Sequence, residues 1–122
     1  MSFVGARMRS FRFAFRGLAE LAREPNARVH LLAGIGVCAL AAWLRVSSLD
    51  WALLALAMGV VLAAESLNTA LEAFADRVAP DRHELVARAK DLAAAGVLLA
   101  ALAATAVGAL VLGPALLGRL LP

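Results

Sequence analysis

A chain of 122 residues that is 63% hydrophobic, with a mean hydropathy of +0.84, is too apolar for an ordinary water-soluble domain. Its length suits one domain, and its single cysteine, Cys38, excludes an intramolecular disulfide and reads as a buried small side chain. The formal charge of +3 matters less than its placement. Arg7, Arg9, Arg12, Arg16, Arg23 and Arg28 precede the first apolar run, and Arg77, Arg82, Arg88 and Lys90 lie between the second and third. Basic segments that flank apolar runs speak for a membrane, so no nucleic-acid partner is expected. By the positive-inside rule the N-terminus and the second loop are cytoplasmic. The first apolar run starts late and two more follow it, which argues against a cleavable signal.

Residues 2–24 carry Val4, Met8, Phe11, Phe15 and Leu18 at helical spacing, with Arg9, Arg12, Arg16 and Arg23 opposite. This pattern predicts an amphipathic helix in the membrane interface, which Ser10 or Gly17 could interrupt. Glu24-Pro25 is a corner: the proline disfavours helix at Glu24 and can itself start a new one. A first span is expected over about 29–45, closed by Trp43 and Arg45 as an interface anchor. Its Gly34-Ile35-Gly36-Val37-Cys38-Ala39 has the letters of a dinucleotide fingerprint. No strand precedes it, however, and small residues in a spanning helix serve close packing. His30, at the start of this span, reads as an interface group.

A tight turn over 46–50 leads to a second span over about 51–76. A polar loop follows, broken by Pro80 and containing Asp81-Arg82-His83-Glu84. The third span is expected over about 85–112, with Gly113-Pro114 marking its end. The expected architecture is an all-α membrane protein, one integral-membrane domain of an interfacial helix and three transmembrane helices.

The second span carries the chemistry. On a helix, Glu65, Glu72 and Asp76 fall within about 40° of one another, with Asn68 about 60° to one side. An ionised group at bilayer depth costs at least roughly 2.5–3.5 kcal/mol, so this stripe must face protein, water or a ligand. Glu65 lies about 21 Å beyond Trp51, within the inner half of the bilayer. Glu24, Glu72, Asp76, Lys90 and Asp91 gather near the surface above it. Magnesium prefers carboxylate oxygens together with substrate phosphates, and phosphoryl transfer needs positioning, charge neutralisation and a proton acceptor. A water-soluble phosphate donor above and a membrane-buried acceptor below would suit this layering. A lone intramembrane carboxylate equally suits a proton or ion path, so a channel-like protein stays open on these grounds.

Glu65-Ser66-Leu67-Asn68-Thr69-Ala70-Leu71-Glu72-Ala73-Phe74-Ala75-Asp76 resembles the E-x-x-N-[ST]-A-[IL]-E-x-x-x-D signature of the small prokaryotic diacylglycerol kinase and undecaprenol kinase family. Ala89-Lys90-Asp91, preceded by His83-Glu84, is similar to its second motif. Residues 10–18 and 24–30 resemble its N-terminal region. The resemblance implies an ATP- and magnesium-dependent lipid kinase, assembled as a homotrimer with sites between chains. It would sit in the inner (cytoplasmic) membrane with its active site facing the cytoplasm. It implies Glu65 as general base, Glu24 and Glu72 as ligands of magnesium and the nucleotide phosphates, and Asn68 near the γ-phosphate. Lys90 would contact phosphates, and Asp81, Arg82, His83 and Asp91 the nucleotide, with Asp76 as a supporting partner. Asn26-x-Arg28-x-His30 and Lys90 to Gly96 look more like the undecaprenol branch, with diacylglycerol as the alternative substrate.

Overall fold

The computed structural model describes residues 3–121. It contains four helices: α1 (Phe3–Leu21), α2 (Pro25–Leu44), α3 (Ser48–Val78) and α4 (Glu84–Leu120). The expected start of the first helix at Ser2 lies outside the described residues. α1 runs unbroken through both expected weak points. Ser10 satisfies its hydroxyl within the helix by donating to the Ala6 carbonyl at 3.2 Å.

α1 stops at Leu21 rather than near Glu24 because the residue before a proline is pushed to extended backbone. Glu24 has φ −71° and ψ 131°. Pro25 then occupies the first turn of α2, where its missing N–H costs nothing, and the Glu24 carbonyl accepts from the Arg28 N–H at 3.0 Å. Arg28 also braces the corner, its Nε donating to the Ala22 carbonyl at 3.1 Å. α2 therefore begins ahead of the apolar run at Val29.

The far end of α2 closes at Arg45 in the left-handed region, φ 54°. The Arg45 N–H donates to the Ala42 carbonyl and the Val46 N–H to Ala41, both at 3.2 Å, which satisfies two carbonyls of the last turn. α3 starts at Ser48, before the expected Trp51, because Ser47 and Asp50 form a capping box. The Asp50 N–H donates to Ser47 Oγ, and the Ser47 N–H donates to Asp50 Oδ2, both at 3.1 Å.

α4 corrects a further expectation. Gly113-Pro114 does not end it; the helix passes through Pro114 to Leu120. Proline forfeits the bond to the Leu110 carbonyl and resists helix by about 3 kcal/mol. Tertiary contacts on either side hold the helix across it. Leu112 is buried with Ala41 and Leu54, ringed by Val37, Trp51, Met58 and Val107. Beyond the proline the Arg119 guanidinium lies 4.7 Å from the Trp43 ring centre.

α3 and α4 form the main pair, α2 packs against both, and α1 lies against α3. Gly34 serves close approach, since a Cβ there would meet Met58 Sδ at 3.3 Å. Three helices, α2, α3 and α4, are long and apolar enough to cross a membrane. They bury little of their surface within one chain, and a groove of about 960 Å³ stays open between them. Apolar side chains such as Leu56, Leu67, Leu99 and Leu110 face outward, as in a membrane protein.

Candidate active site

The site lies at the end of the bundle opposite the Ala41–Leu54–Leu112 cluster. α3 supplies its column of polar groups, and burial falls along that column. Glu65 is 2% exposed and Asn68 6%, Glu72 is half-buried, and Asp76 is exposed. The helical phase aligns these residues along α3, and His30 of α2 stands against the deepest of them, Glu65.

Three polar contacts organise the column. His30 Nε2 stands 3.2 Å from Glu65 Oε1. Asn68 Nδ2 donates to Glu72 Oε1 at 3.3 Å. Lys90 Nζ, from the second turn of α4, donates to Asp76 Oδ1 at 2.9 Å. The first contact corrects the reading of His30 as an interface group: it reaches inward to the buried carboxylate. The signal available in the sequence was that His30 shares a helix face with the small residues Ala27 and Gly34. The partner across the helix pair was not.

Asn68 presents a second feature. With its amide nitrogen turned to Glu72, its Oδ1 is buried and has no hydrogen-bond partner among the described residues. An unsatisfied buried carbonyl costs about 1–3 kcal/mol, so this atom calls for a donor or a cation.

The remaining expected residues stand around this column without joining it. Glu24 caps α2 through its backbone alone, its half-buried side chain making no cap bond. His83 caps α4, its Nδ1 accepting from the Leu85 N–H at 3.2 Å, which leaves Nε2 free of that task. Asp81, Arg82 and Asp91 are exposed. Among the described residues no ion pair joins Glu24 to α3, and no three His, Cys, Asp or Glu side chains come together as a metal cage. Oxygen donors on a few side chains, open to one side, suit a cation shared with substrate phosphates better than a closed structural metal.

Residues 12–112 match the family model described as prokaryotic diacylglycerol kinase. The chain is 44% identical over 110 residues to a diacylglycerol kinase of Synechocystis sp., covering 88% of this chain and 63% of that protein, so it spans less than two thirds of that relative. It is 34% identical over 109 residues to an undecaprenol kinase of Bacillus subtilis, covering 88% of this chain and 89% of the relative. With a diacylglycerol kinase of Escherichia coli the identity is 36% over 93 residues, 75% of this chain and 76% of the relative. The matched stretch contains the whole polar column and both of its partners, His30 and Lys90, and on this evidence the chain belongs to the prokaryotic diacylglycerol kinase family of lipid kinases.

Proposed function

We propose that this protein transfers the γ-phosphoryl group of ATP to the hydroxyl of a membrane-embedded lipid alcohol. The observation that carries the reading is the buried Glu65, with Asn68 and Glu72 above it, on a helix that otherwise belongs in lipid. In this reading the lipid hydroxyl gives its proton to Glu65 while its oxygen attacks the γ-phosphorus. The bond to the bridging oxygen breaks, and ADP leaves. Lys90, steadied by Asp76, neutralises charge on the phosphates. Asp81, Arg82, His83 and Asp91 rim the nucleotide.

Magnesium fits the donors present. The orphaned Oδ1 of Asn68 stands on the same helix face as the Glu72 carboxylate, and both are hard oxygen donors. Glu72 and Glu24 would hold the ion, which would supply charge neutralisation at the phosphate oxygens, and Asn68 would position groups near the γ-phosphate.

The reading includes an interfacial role for α1, whose Met8, Phe11, Phe15 and Leu18 are exposed and would rest in acyl chains with Arg12 and Arg16 toward headgroups. It places the site on the cytoplasmic face of the inner membrane. It also includes a homotrimer, supported by the open groove and by the little surface each span buries within one chain. Undecaprenol is the substrate favoured by the Asn26-x-Arg28-x-His30 pattern. Diacylglycerol is the second reading, favoured by the 44% identity to a protein named for it.

The test is phosphate transfer from labelled ATP by the purified protein in mixed micelles, with undecaprenol and diacylglycerol assayed in parallel. Transfer to either that requires magnesium and is lost in Glu65→Gln supports the kinase. A well-folded protein that phosphorylates neither overturns it.

A further inference from the structure

The register of α2 against α3 leads to a side chain that the reaction above does not use. Three contacts run down this antiparallel pair. Ala41 and Leu54 share the packed cluster at one end. Midway, Gly34 admits Met58. At the polar end His30 meets Glu65. Each step back along α2 is matched by a step forward along α3, so packing of the whole pair brings His30 level with Glu65. The start of α2 is fixed as well, by Pro25 in its first turn and by the Arg28 bond to the Ala22 carbonyl at 3.1 Å. The imidazole is therefore carried on a stiff corner rather than on a mobile end.

The exposures of the two partners differ. The Glu65 side chain is 3% exposed and that of His30 26%. A carboxylate withdrawn this far needs a polar partner, and the His30 ring nitrogen Nε2 stands 3.2 Å from it. With its proton on Nε2 the ring can donate to the carboxylate from that position. It engages Oε1 and leaves Oε2 to accept a proton.

We infer that His30 is a positioning residue for the phosphoryl transfer, its Nε2–H holding the Glu65 carboxylate turned toward the lipid hydroxyl. The inference rests on Glu65 as the general base. When the lipid oxygen forms its bond to phosphorus, its proton passes to Glu65 Oε2 and the electron pair of the broken bond leaves with ADP. His30 touches none of these atoms and acts through the orientation of Glu65 alone.

The experiment compares two polar replacements in the full-length protein in mixed micelles with ATP, magnesium and both lipids. Glutamine can place an amide N–H near the position of Nε2, whereas asparagine stops near Nδ1. His30→Gln should keep kcat within about threefold of the parent, and His30→Asn should lose about 10–100-fold in kcat with the KM for ATP unchanged. Glu65→Asp draws the carboxylate back from the imidazole, and on that background His30→Asn should cost little more. The inference is overturned if His30→Asn keeps the parent's kcat, or if His30→Gln is as slow as His30→Asn. It is overturned equally if His30→Asn slows Glu65→Asp by the same factor as it slows the parent. A parent inactive on both lipids removes the reading of Glu65 and this inference with it, whereas failure of His30 alone is seen against an active parent.

Discussion

Glu65, Asn68 and Asp76 stand on one helix and meet three different environments, so their replacements should separate. Glu65→Gln keeps shape and most packing while removing the proton acceptor. Transfer should fall about 10²–10⁴-fold with the elution profile unchanged, read by kinetics beside size-exclusion chromatography. Asn68→Leu relieves the orphaned Oδ1 but loses the bond to Glu72, so stability should stay within about 1 kcal/mol of the parent while transfer drops. Thermal unfolding and rate, measured on one preparation, check that divergence. The Asp76–Lys90 pair is largely open to solvent, so its influence is screened by salt. Asp76→Asn should raise the KM for ATP at low ionic strength and lose that effect at high. Carboxylates on an apolar helix announce themselves in sequence because their burial is so costly. The imidazole opposite Glu65 is hidden in the sequence, because helix spacing says which residues share a face and not which helix the face meets.

The helix ends show the same division. Pro25 made the first corner legible, since its ring acts on its immediate neighbours. The stop expected at Gly113-Pro114 does not occur, because the Leu112 cluster and the Arg119–Trp43 contact on either side offset the local penalty of the proline. The early start of α3 is legible in Ser47-x-x-Asp50, a capping pair that lies ahead of the apolar run. Two substitutions test these ends in thermal unfolding. Ser47→Ala removes the cap of α3 and should cost about 1 kcal/mol. Arg45→Gly removes a side chain from a left-handed position and should gain about 1 kcal/mol.

At the scale of the molecule, the number of long apolar helices could be read from sequence, because each is an uninterrupted stretch with polar corners between. The assembly could not, because a residue turned outward looks alike whether lipid or a second copy covers it. The open groove leaves room for a second copy, and the homotrimer is the expectation that the family resemblance implies. Light scattering in detergent should return three copies, and a monomer with full activity would refute sites shared between chains.

The packed end of the bundle also decides what the molecule reveals to light. The chain has two tryptophans and no tyrosine. Trp43 lies under Arg119, and Trp51 packs on the Ala41–Leu54–Leu112 cluster. Trp51 is about 21 Å along its helix from Glu65, and Trp43 about 20 Å along its own from His30. Intrinsic fluorescence should therefore follow loosening of this clasp during unfolding and stay silent when nucleotide is titrated into the intact protein. An optical signal for occupancy would have to be introduced at the other end of the helices.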